Sequence, residues 1–450
     1  MFTTRMESSR RMTAWASVAA SMLLLAVTNA HAVPSMGRQT GYECSKCHTV
    51  YPELTPYGRA FKLGGFTNSS AKWDEKPLIE RLPVSAVLQA SRTSTSDIAA
   101  GGASADEFPQ DRKTIVQAAG LYWGGKVTDN IGALIQYNYD GIEKKWGMEM
   151  FDARYANSTS VADKELVWGV TLNNNPTVSD IYASTPQWAF PNAETASPVR
   201  PVAAAVDMTL ASQVGGVGAY GLWNDLVYVE LAGYTSARKK ALRALALSLP
   251  IETVLNGTAP YWRLALQQRW DAHNVAVGTY GLVAKLAADP DNPGAGSNRF
   301  RDVAFDANYQ YIEGDHTASA HVTSIREKRT WTTSFAQGLT SNPDGTLKTL
   351  RADVLYHFQR KWGGGLQYFQ TRGSSDDLLY NTGDALFGSA SGSPNSKGYV
   401  AQLNYLPWNN LKLSLRYTAY TQFSGAKSDY MPGRSASDNN SLHLLAWLMF

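Results

Sequence analysis

The stretch GYECSKCHTV, Gly41 to Val50, holds both cysteines of a 450-residue chain, two residues apart and followed at once by a histidine. Cys44, Cys47 and His48 spell C-x-x-C-H, the attachment pattern of a c-type haem. Two thiols must add to the vinyl groups on one edge of a porphyrin, and two intervening residues set that separation. The next residue, His48, then falls under the ring, where an imidazole nitrogen can bind the iron. A disulfide, a redox dithiol and half of a zinc site are the competing uses. Zinc wants two further Cys or His at close spacing, and none follows. A thioredoxin-like dithiol wants a βαβ context, which is lacking. The expectation is one covalent haem c on Cys44 and Cys47, with His48 as proximal ligand. Met36, just before the motif, and His357, in RADVLYHFQR, are the candidates for the distal position; His273, His316, His321 and an open site are the alternatives.

The start of the chain reads as an export signal over residues 1–32. Arg5, Arg10 and Arg11 precede an apolar run from Ala14 to Val27, and Ala30-His31-Ala32 supplies a small–x–small cleavage pattern. The run is too short to span about 30 Å of hydrocarbon comfortably. The haem segment then occupies residues 33–80. Within it, Tyr51 to Phe66 reads as a turn and one short amphipathic helix ending at Gly64-Gly65. Such a segment is marginal for a core of its own, so the rest of the chain is expected to shield the haem.

Residues 81–450 repeat one theme, about ten residues of strict alternation and then turn chemistry. In VAFDANYQY, Val303, Phe305, Ala307, Tyr309 and Tyr311 share one face while Ala304, Asp306, Asn308 and Gln310 share the other. Period two with one apolar face means strands. The alternation predicts about sixteen of them, near 82–92, 113–126, 131–140, 147–157, 165–173, 213–222, 226–236, 260–270, 273–285, 302–312, 316–327, 348–359, 363–372, 397–406, 411–422 and 441–450. Tight turns at Thr128–Asn130, Asn224-Asp225, Glu313–Asp315 and Trp408–Asn410 close every second gap, and the other gaps are often long and polar. Trp223, Trp270, Trp362 and Trp408 sit at or beside short turns, with Trp123 nearby, as expected of aromatic rings at a membrane–water boundary. A terminal Phe450 closes the alternating last strand.

These features predict an all-β fold, a transmembrane antiparallel β-barrel of about 16 strands behind a short N-terminal c-type haem segment, in the outer-membrane lipid of a bacterium. The haem segment would hang at the periplasmic mouth or fold inside. The register aims Arg263, Gln267, Arg269, Asp306, Asn308, Arg351, Asp353, Lys412 and Arg416 into the lumen. A net charge of +3 without a basic run argues against nucleic acid. A mean hydropathy of −0.28 argues against a helical membrane bundle.

The stretch MGRQTGYECSKCHTVYPELTPYGRAFKLGGF, Met36 to Phe66, followed by strands ending in Phe, resembles the outer-membrane cytochrome–porin fusions, best known as iron oxidases of neutrophilic and acidophilic bacteria. The sharp part of the resemblance is Arg38 to Gly41, the C-x-x-C-H itself, and Pro52 to Lys62; the barrel matches as architecture only. The resemblance implies haem thioethers on Cys44 and Cys47, a proximal His48, and electrons taken from an extracellular donor such as Fe(II) and passed to a periplasmic c-type cytochrome or other acceptor. A haem-plugged solute channel and an outward conduit to an external acceptor are the alternatives. Asp376-Asp377 is a candidate Fe(II) contact, since hard oxygen ligands suit iron.

Overall fold

The computed structural model describes residues 34–96, 108–184, 195, 197–236, 253–384 and 386–450. The expected signal segment, 1–32, lies outside them. Among the described residues, sixteen strands close into one antiparallel barrel in which each strand pairs with its chain neighbours and the first pairs with the last. They are β1 (Val84–Thr95), β2 (Thr114–Lys126), β3 (Ile131–Asp140), β4 (Lys145–Val161), β5 (Lys164–Asn173), β6 (Gly215–Trp223), β7 (Val227–Thr235), β8 (Ala259–Trp270), β9 (His273–Ala287), β10 (Ser297–Glu313), β11 (His316–Thr330), β12 (Asp344–Phe358), β13 (Trp362–Gly373), β14 (Ser396–Trp408), β15 (Leu411–Gln422) and β16 (Ser441–Met449). Closure runs through β1 and β16 from Val87 opposite Met449 to Thr95 opposite Ser441. No described helix is long and apolar enough to cross a membrane; the crossing is made by strands, which pair with one another around the closed ring.

The pleat sorts the side chains. Along β10, Val303, Phe305 and Tyr309 are exposed on the outer face, whereas Asp302, Ala304, Asp306, Asn308 and Gln310 are buried inward. Leu264, Leu266, Val354, Leu366, Leu403, Leu413, Leu415 and Leu444 continue the apolar outer wall, which only lipid can cover favourably. Exposed Trp123, Trp270, Trp362 and Trp408 girdle the end that carries the short turns. His273 belongs to the same girdle, stacked on Trp270 with ring centroids 5.3 Å apart and bonded to the Tyr309 hydroxyl at 2.8 Å.

Two parts of the chain enter the lumen. The stretch between β5 and β6 turns inward: Val206 N donates to Asp302 Oδ2 at 2.7 Å and Ala205 N to Glu327 Oε2 at 2.6 Å. Ala204, Ala205, Val206 and Leu210 pack there against Tyr234, Tyr261, Tyr280, Leu282 and Ile325 of the wall. At the short-turn end the remaining volume is taken by the N-terminal segment, which contains four helices: α1 (Pro34–Thr40), α2 (Cys44–Cys47), α3 (Pro56–Leu63) and α4 (Leu78–Arg81).

Candidate functional site

The motif forms one short helix. Cys44 to Cys47 make a single turn, α2, whose close is the His48 N–H bonded to Cys44 O at 2.9 Å. The chain then doubles back: Thr49 N donates to Glu53 O at 3.2 Å, Thr55 N to Cys47 O at 2.9 Å and the Thr55 hydroxyl to Lys46 O at 2.6 Å. Thr55 also N-caps α3 by accepting from Gly58 N at 3.1 Å, and Pro56 occupies the first helical position. Gly58 is where α3 crosses the motif. A Cβ there would lie 2.2 Å from Cys47 O.

The segment enters the barrel through matched polar contacts. Ser35 donates its hydroxyl to Gly124 O at 2.7 Å, and Arg38 donates to Val84 O at 2.7 Å. Gln39 accepts from Lys126 N at 2.8 Å while its amide group donates to Phe66 O at 2.8 Å. Opposite, Tyr220 donates to Leu63 O at 2.6 Å, Lys412 Nζ to Tyr51 O at 2.9 Å, and Lys62 Nζ to Val178 O. Burial, with the neighbouring Arg154 charge, lowers the Lys62 pKa to about 8.

Between segment and wall lies an apolar cavity lined by Cys44, Cys47, His48, Met36, Phe61, Lys62 and Phe66 from the segment, and by Tyr122, Leu134, Met150, Trp447 and Met449 from the wall. The two thiols and the imidazole therefore face one apolar space. Cys44 and Cys47 are not joined by a disulfide. Burial and the adjacent Cys44 push the Cys47 thiol up to about 11. Burial also depresses His48 to about 4, so the ring is neutral at physiological pH and can offer a nitrogen lone pair. Its Nδ1 lies 3.3 Å from Glu53 O. A carbonyl can only accept, so Nδ1 carries the proton and the Nε2 lone pair is left for a metal, were one bound.

These residues fit the group implied by the motif. The walls are apolar, the thiols and imidazole converge, and Trp447 Nε1 is a buried donor with no partner among the described residues, of the kind that a haem propionate would satisfy. Three thioethers, Met36, Met150 and Met449, face the same space.

The other sequence candidates fall elsewhere. His357 is buried but does not line the cavity; its Nε2 meets Asn404 Nδ2 at 3.3 Å. His316 meets the Tyr356 hydroxyl at 2.7 Å among exposed aromatic rings. His321 sits between Asp353, 2.7 Å from its Nδ1, and Glu53, 3.4 Å from its Nε2. Asp376 caps a turn, accepting from Leu379 N at 3.0 Å and from Ser341 N at 2.8 Å, which is a structural use of that carboxylate. The inward register holds for Arg263, Gln267, Asp306, Asn308, Asp353, Lys412 and Arg416, all buried. Arg351 reaches Asp207 of the inturned stretch, and Arg269 lies exposed at the short-turn rim beside Asp225.

A second cavity lies on the long-loop side of the first and shares Tyr122 and Trp447 with it. Its lining is polar, with Gln136, Asn138, Asp140, Glu143, Lys145, Glu149 and Arg200.

No protein-family model matches the chain, and no curated protein does. Among solved structures the chain is similar to a loop L8 deletion mutant of OmpT, an outer membrane protein of Vibrio cholerae, at 9% identity and a TM-score of 0.42, over 82% of this chain and 98% of that one. It is similar to Salmonella typhi OmpF in complex with daunomycin at 12% identity and a TM-score of 0.46, over 82% and 97%. It is also similar to the outer membrane channel DcaP of Acinetobacter baumannii at 11% identity and a TM-score of 0.44, over 82% and 96%.

Proposed function

We propose that the protein is a monohaem electron conduit of the bacterial outer membrane, taking electrons from an extracellular donor, Fe(II) by the resemblance of its N-terminal segment, and delivering them to a periplasmic c-type cytochrome. The observation that carries this reading is the convergence of Cys44, Cys47 and His48 on one cavity inside a lipid-facing barrel. A haem c bound there supplies a one-electron couple set by its axial ligands and its exposure.

The chain's own residues support both ends of the path. Short turns mark the periplasmic end, and Tyr42, 45% exposed, faces outward beside the motif there, where a soluble carrier could approach. On the opposite side, the polar cavity brings a hydrated donor as far as Tyr122 and Trp447, the two rings that separate it from the apolar cavity. The inturned stretch and the N-terminal segment exclude a wide aqueous path, so charge crosses while the donor's oxidised product stays outside.

The test is a reduced-minus-oxidised spectrum of the purified protein with Fe(II) added. Appearance of a reduced c-type haem spectrum supports the reading. A colourless protein with steady ion conductance in planar bilayers would leave a solute channel instead.

A further inference from the structure

Glu53 is buried at 6% exposure inside the barrel, and its carboxylate accepts from named side-chain donors. Thr49 and Ser319 donate their hydroxyls to Oε2 at 2.7 and 2.8 Å. Gln310 donates to Oε1 at 2.7 Å and, with the same amide group, to Leu54 O at 3.0 Å. His321 Nε2 stands 3.4 Å from Oε1, held by Asp353 behind it. Arg59 fixes Gln310 in turn, donating to its Oε1 at 2.9 Å. The backbone carbonyl of Glu53 itself faces His48 Nδ1–H at 3.3 Å, beside the carbonyl of Pro52. One residue thus joins the barrel wall to the histidine of the motif.

We propose that Glu53 is a positioning residue through which β10 and β11 set the electron-donating strength of His48, so that the barrel tunes the potential of the haem. This rests on the haem reading above. A carbonyl held in line with Nδ1–H makes the imidazole a stronger donor and favours oxidised iron; a carbonyl free to drift makes it weaker and favours reduced iron. Burial of an unpaired carboxylate would be costly, and this one is offered four donors, three of them from the wall.

The experiment is an optical redox titration of the full-length protein with covalent haem, comparing wild type, Glu53→Gln and the double variant Gln310→Ala/Ser319→Ala. The double variant removes two donors without altering charge. The expected result is a midpoint potential raised in both, with haem stain and heat-modifiable mobility retained. A potential that moves in Glu53→Gln alone reports only a lost charge and overturns the proposal, as does an unmoved potential in all variants. A colourless wild type overturns the haem reading and this inference with it. Should the double variant fail to assemble, Ser319→Ala alone, which removes one hydroxyl, is expected to give a smaller shift of the same sign, and an unmoved potential there overturns the proposal.

Discussion

Tyr51 and Trp447, 396 residues apart in the chain, meet edge to face with ring centroids 5.3 Å apart, and the Tyr51 hydroxyl donates to Trp447 O at 3.0 Å. The N-terminal segment is thereby fastened to the last strand, the one that closes the barrel against β1. Lys412 Nζ lies over both rings, 5.0 and 4.6 Å from their centroids. Tyr51→Phe removes one buried hydrogen bond, about 1 kcal/mol, and is expected to raise protease access to residues 34–83 severalfold. Tyr51→Ala also opens a cavity, about 3–5 kcal/mol, and is expected to release the segment. Equal cleavage rates in wild type and Tyr51→Ala would refute the fastening.

The inner face of β16 carries the part of the site that alternation did not reveal. The sixteen strands are legible because lipid outside and polar groups inside impose a period of two, and each expected segment overlaps an observed strand. The same rule aims Ser441, His443, Leu445, Trp447 and Met449 inward, and the last three are apolar. Apolar residues on both faces of one strand are a signal that something apolar docks inside, and the sequence LLAWLM contains it. The inturned stretch before β6 left no such trace: its hold on the wall combines backbone N–H groups given to Asp302 and Glu327 with Asp180 and Asp207 pairing to Arg263 and Arg351, partners too distant in the chain for a sequence to match. Glu53 was visible only as one residue of the stretch Pro52 to Lys62, since its wall partners Gln310, Ser319 and His321 lie far along the chain.

Haem attachment is expected to be separable from barrel assembly. The strands close through their own ladders, and no ladder includes residues 34–83. Cys44→Ala and His48→Ala should therefore lose covalent haem stain while the heat-modifiable band of the folded barrel persists on electrophoresis. Loss of the folded band in both variants would make the motif structural instead.

Two glycines are required by close approach. At Gly58 an added Cβ would meet Cys47 O at 2.2 Å, and at Gly132 of β3 one would meet Gly65 O at 2.1 Å. Both obstacles are backbone, which cannot swing aside as a side chain does. Gly58→Ala is expected to displace α3 from the motif and to abolish haem stain. Gly132→Ala leaves the motif intact and is expected to undock the segment, seen as faster proteolysis with the stain retained. Normal haem content in Gly58→Ala would show that α3 and the motif do not need this close approach.

Electrical closure of the lumen is the last consequence. Arg263 binds Asp306 at 2.9 Å and reaches Asp180 of the inturned stretch at 3.8 Å, while Arg154 pairs with Asp152 at 3.0 Å and donates to Ser179 O at 3.0 Å. Removing one partner of such a buried pair strands a charge at a cost of about 3–5 kcal/mol, so these contacts keep the inturned stretch in place at rest. The N-terminal segment blocks the other end independently. The full-length protein is thus expected to give little ion conductance in planar bilayers. Deleting residues 34–80 should raise it only partly, because Asp180 and Asp207 remain bound to the wall, and Asp180→Ala in the deleted chain should raise it further. A wide, steady conductance from the full-length chain would contradict both plugs and return the barrel to the role of a diffusion channel.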